Sequence, residues 1–82
     1  MIEKIKEIGY TGEDNLSLII DWIRNTHKFY IWIEHGTRKK DGSVTHDVTI
    51  SGGCMRGSHN KYESAQIEGI SLFIKHYEKI HS

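Results

Sequence analysis

The chain predicts an α+β fold in the order α-α-β-β-(β)-α, a small antiparallel sheet with its helices packed on one face. Three observations predict it. Leu16, Ile19, Ile20 and Ile23 repeat at i, i+3, i+4, i+7, and a second helical pattern runs through residues 60–80. Between them, Phe29-Tyr30-Ile31-Trp32-Ile33-Glu34-His35 alternates strictly. Asp41-Gly42, a strong hairpin signal, separates that run from a second alternating one. At 82 residues the chain predicts a single domain, near the size where one core only just offsets chain entropy.

Each element has its own justification. Ile2, Ile5 and Ile8 make one stripe of a short helix within residues 1–9 that Gly9 ends. Thr11 and Asp14 are candidate N-caps for the helix over 14–26. Leu18 and Trp22 form a second stripe on it, expected to receive the N-terminal helix.

The hairpin spans 28–51. With Asp41-Gly42 as a two-residue turn, Ile33 faces Ile50, His35 faces Val48 and Trp32 faces Ser51. Phe29, Ile31 and Ile33 then share a face with Val44, Val48 and Ile50, while Tyr30, Trp32 and Glu34 share the other with Thr45, Asp47, Thr49 and Ser51. Residues 52–58 are a Gly-rich connection, with a short third strand around Cys54–Arg56 allowed by the pattern. Asn60-Lys61-Tyr62-Glu63 has capping-box spacing for the last helix, which runs to Ile80. Tyr62, Ala65, Gly69, Phe73, Tyr77 and Ile80 keep one face, with Ile70 beside it and Ile67 and Ile74 on the flank. A glycine in mid-helix costs about 1 kcal/mol, so Gly69 predicts close approach of helix to sheet.

Composition narrows the classes. Eleven basic and eleven acidic residues cancel, which removes the bulk charge of a typical nucleic-acid binder. One cysteine forms no intramolecular disulfide and fits a reducing compartment. Charges at Glu3, Lys4 and Lys6 do not read as a signal peptide, and no apolar run reaches membrane-spanning length. The expectation is a cytoplasmic protein without membrane contact.

No motif matches a catalytic template, so no catalytic residue and no cofactor is predicted. His27, His35, His46, His59, His76 and His81 lack the paired spacings of a metal site, so none is expected. His35 and His46 are expected near each other at the turn end of the core face. Cys54 and His59 share a loop, without a signature for a nucleophile and base. Gly52-Gly53-Cys54-Met55-Arg56-Gly57 lacks the spacing of a nucleotide-binding loop and reads as a connection. What stands out is the pair Tyr30 and Trp32 on a sheet face that should be polar. Trp and Tyr are favoured anchors of protein interfaces.

From Asn15 onward the order of helix, hairpin, Gly-rich stretch and long helix opening at Ser58-His59-Asn60-Lys61 resembles a double-stranded-RNA-binding domain. That likeness implies contact with A-form RNA through the first helix, the first inter-strand loop (Arg38, Lys39 and Lys40) and the start of the last helix, where Lys61 sits. The family's lysine cluster is reduced to that one residue, and its loop histidine has no counterpart. Asp21-Trp22-Ile23, Tyr30-Ile31-Trp32 and Tyr62-Glu63-Ser64-Ala65 are similar to segments of small proteins encoded by bacteriophages and mobile elements, which implies context without mechanism.

The reading that results is a non-enzymatic interaction protein of phage type, a homodimer or the binder of a protein partner, with Tyr30, Trp32, Thr49 and Ser51 as the contact surface. The alternative is a nucleic-acid-binding module using Arg38, Lys39, Lys40, Arg56 and Lys61 on phosphates.

Overall fold

The computed structural model describes residues 1–81, and of Cys54 the backbone alone. It contains α1 (Ile2–Ile8), α2 (Leu16–His27), β1 (Ile31–Thr37), β2 (Val44–Ile50), β3 (Cys54–His59) and α3 (Tyr62–Ile80). The three strands form one antiparallel sheet in the order β1-β2-β3. The fold is therefore α+β, as the patterning predicts. The third strand extends to His59, three residues beyond the predicted Arg56.

Local chemistry explains the boundaries. Gly9 follows α1 at φ 130, a conformation glycine adopts without penalty. The cap of α2 is Asn15, whose Oδ1 accepts from the Leu18 backbone N–H at 3.1 Å; neither predicted cap serves. Asp14 instead pairs with Lys6 across the α1–α2 connection, 3.0 Å apart. The predicted capping box at Asn60 does not form either. Asn60 Oδ1 accepts from Arg38 at 2.8 Å, and Lys61 becomes the N-cap of α3 without a side-chain bond.

The hairpin register differs from the prediction by two residues. Ile31 pairs with Ile50, Ile33 with Val48, His35 with His46 and Trp32 with Thr49. The reason lies in the turn. Lys39–Gly42 is a four-residue loop, closed by Arg38 N–H to Ser43 O and Gly42 N–H to Arg38 O, both 2.8 Å. A two-residue type I′ turn needs positive φ at both central residues. Gly42 has it at φ 75, whereas Asp41 does not. Asp41 Oδ1 accepts from the Ser43 N–H and hydroxyl, which holds the wider loop. A shift of two leaves side-chain parity unchanged, so both predicted faces survive.

The core lies between the Phe29/Ile31/Val48/Ile50 face of the sheet and the helices. Ile5, Ile19, Ile23, Val48, Ile70 and Phe73 are its fully buried large side chains. α3 crosses all three strands and also packs on α2. Gln66 Nε2 donates to Ser17 Oγ at 2.9 Å and ties the two helices. α1 rests against the C-terminal half of α3, where Lys4 pairs with Glu78 at 3.2 Å. The second stripe of α2 is used only in part. Trp22 meets Tyr10 edge-on at 5.4 Å, whereas Leu18 stays exposed. Ile74 is buried and Ile67 exposed.

Gly69 sits over Ile31, and a Cβ there would lie 2.5 Å from Ile31 Cγ2. This is the close approach that a mid-helix glycine predicts. Gly69→Ala gains about 1 kcal/mol of helix propensity but forces an overpacked contact costing about 1–3 kcal/mol. The expected outcome is a net loss of stability, read as a lower urea midpoint. A variant as stable as the parent would show that the helix is free to lift.

Candidate interaction surface

All three helices lie on one side of the sheet, which leaves the other side open. Trp32, Thr49 and Met55 occupy one cross-strand row on that side. Trp32 is 46% exposed and Met55 65%. Tyr30, 39% exposed, stacks on Trp32 with ring centroids 5.8 Å apart and planes 14° from parallel. Its backbone N–H donates to Ser51 Oγ at 2.7 Å, so the pair is held by the β2–β3 turn.

The next row is acidic. Glu34 stands opposite Asp47, which accepts from the Ser58 hydroxyl at 2.7 Å. The surface is therefore an aromatic and thioether patch bordered by two carboxylates.

Of the predicted contact residues, Tyr30, Trp32 and Thr49 share this surface. Ser51 follows the end of β2, and its oxygen accepts from the Tyr30 N–H. Met55 joins it from outside the residues that the pattern predicts. The irregularity that places Met55 opposite Thr49 breaks the simple alternation of β3, so parity alone could not assign its face.

The basic residues divide. The Arg38–Asn60 bond brings the tip Arg38-Lys39-Lys40 to the end of the sheet where Lys61 starts α3. Arg56 lies toward the opposite end, between residues paired with Thr49 and Val48.

The covered face carries a row of histidines, because His35 pairs with His46 and His46 with His59. His35 and His46 meet edge-on at 5.1 Å, as expected at the turn end of the core face. His59 Nε2 contacts Glu68 Oε1 on α3 at 2.6 Å, and His46 Nδ1 is buried without a hydrogen-bond partner among the described residues. Among the described residues no three His, Cys, Asp or Glu side chains converge as metal ligands. The thiol of Cys54, considered with His59 as a nucleophile and base, lies outside the described atoms. No described helix is long and apolar enough to cross a membrane.

His27, at the other end of the core, packs among Trp22, Phe73 and Tyr77 with centroids 4.9, 5.0 and 5.7 Å away. Its Nε2 is buried without a hydrogen-bond partner among the described residues. Burial lowers its pKa from the usual histidine value, and the charge of His81 adds to the effect.

Compared with known proteins, the chain matches no family model, no curated protein and no solved structure.

Because the folded pKa of His27 is depressed, the unfolded chain binds more protons than the folded one as pH falls below about 6.5. Its contribution is complete above the unfolded value and is lost as pH drops toward the folded one. Urea midpoints should fall between about pH 7.5 and about pH 5.5, and His27→Phe should flatten part of that slope. An unchanged slope in the variant would assign the acid sensitivity elsewhere.

Proposed function

We propose that the chain is a non-enzymatic interaction protein that associates with a second copy of itself through the open sheet face. The observation that carries this reading is the stacked Tyr30–Trp32 pair, exposed in one patch with Met55 and covered by no described helix. Rigid, amphipathic aromatics give much contact area for little lost rotamer freedom. A two-fold contact places the same patch on both copies.

Charge supports self-association as well. The net charge is zero, so two copies do not repel in bulk. Glu34 and Asp47 on the face and Lys39 and Lys40 at the tip supply opposite signs for such a contact. The phage or mobile-element context suggested by Asp21-Trp22-Ile23 and Tyr62-Glu63-Ser64-Ala65 fits a small adaptor of this kind.

One observation favours the rival reading, nucleic-acid binding: Arg38, Lys39, Lys40 and Lys61 share one end of the molecule. The acidic row beside the aromatics and the separate position of Arg56 count against it. Binding of an RNA duplex that declines steeply with salt would favour that reading.

Sedimentation velocity over a concentration series tests the proposal. The parent should shift from monomer to dimer, and Trp32→Ala should remain monomeric with an unchanged far-UV spectrum. Half of the Trp32 side chain is already in solvent, so its truncation spares the core. A monomeric parent at millimolar concentration, an unchanged dimer in the variant, or an unfolded variant would each overturn the assignment.

A further inference from the structure

At the end of the molecule away from the hairpin tip, a cleft of about 340 Å³ opens between the α2–β1 connection, the β2–β3 turn and α3. Phe29 and Leu72 supply apolar walls, with His76 lying 5.1 Å from the Phe29 ring. Lys28 and Arg56 line the same cleft, and among the described residues no acidic side chain does. In a chain whose charges cancel, a concavity bordered by two fixed cations and no carboxylate is a local imbalance.

Both cations are placed there by irregular backbone. Lys28 is the one described non-glycine residue with positive φ, at φ 56 and ψ 31. It ends α2 in the left-handed conformation, where glycine is the unstrained choice. Arg56 is the extra residue of the bulge in β3, between Gly57 opposite Val48 and Met55 opposite Thr49. Bulges re-aim side chains, and strained residues persist where the surroundings or a function require them. Neither side chain makes an ion pair or hydrogen bond among the described residues. A basic residue at a helix C-terminus gains from the dipole, but Arg24 and His27 already stand in that turn. The dipole also gives no reason for a bulge on β3.

A hydroxyl lining the cleft suits the same ligand. Ser51 Oγ accepts from the Tyr30 N–H at 2.7 Å, which leaves its hydroxyl proton to donate into the cleft. An Arg fork, a Lys ammonium and a hydroxyl donor form a set that recognises the oxygens of a phosphate. The volume lies within the range of small-molecule sites.

We infer that the cleft bordered by Lys28, Ser51 and Arg56 binds a small organic phosphate, its phosphate on these three residues and its apolar or aromatic body against Phe29, Leu72 and His76. The site meets the open sheet face at the Tyr30–Ser51 bond but uses none of the exposed side chains of that face, so it does not rest on self-association.

Calorimetric titration of the folded protein at low ionic strength tests this, with phenyl phosphate, inorganic phosphate and benzoate as probes. Phenyl phosphate should bind saturably in the sub-millimolar to millimolar range, inorganic phosphate more weakly because it lacks the body, and benzoate more weakly because it lacks the dianion. Arg56→Gln should weaken phenyl phosphate by about tenfold or more. Lys28→Gly should weaken it too while raising the Tm, since glycine relieves the left-handed strain. Trp32→Ala should bind as the parent does. Absence of saturable binding, benzoate binding as well as phenyl phosphate, or undiminished binding in a folded Arg56→Gln variant would each overturn the inference.

Discussion

The contact on which the rest of the structure depends is the seating of α3 on the sheet at Gly69. A side chain there would collide with Ile31, so the absence of one sets how deeply the helix lies across the strands. From this seat Ala65, Ile70 and Phe73 reach the sheet and α2, and α2 closes the core with Ile19 and Ile23. α1 then has its place against the far half of α3, with Ile5 fully buried. A sheet of three strands offers a narrow floor. Once α3 covers it and two further helices pack around α3, nothing of the described chain remains for the other face.

That one-sidedness gives the open face its meaning. An isolated exposed aromatic is ordinary on a protein surface. Here two aromatics are stacked and held by the Tyr30–Ser51 bond, and a third apolar side chain continues the row across β2 to β3. The same strands separate the charges of the molecule. The carboxylates of Glu34 and Asp47 border the aromatics, the tip lysines and Lys61 gather at one end, and Lys28 and Arg56 border a cleft at the other. Overall neutrality therefore conceals distinct local surfaces.

Much of this layout was legible because side-chain parity is a robust signal. Strict alternation from Phe29 to His35 assigned both faces correctly even though the pairing was misplaced, since an error of two residues does not exchange faces. The error came from Asp41-Gly42, which by its residue types favours a tight turn. The competing Asx bonds from Asp41 to Ser43 hold a wider loop. Tertiary partners likewise overrode local cap chemistry at Asn60, whose oxygen serves Arg38 from another element. The assignments of Met55 and His59 depended on a bulge, and no propensity marks one in a glycine-rich stretch. Lys28 was equally hidden, because a helix pattern that ends without glycine does not reveal that its next residue turns left-handed.

The central claim is that the Tyr30–Trp32 face is covered by a second copy of the chain. The most direct measurement is acrylamide quenching of Trp32 fluorescence in a Trp22→Phe background, followed across protein concentration. Trp32 should be quenched freely when dilute and become protected, with a blue-shifted emission, as the protein is concentrated through the micromolar range. Free quenching at every concentration would contradict the account.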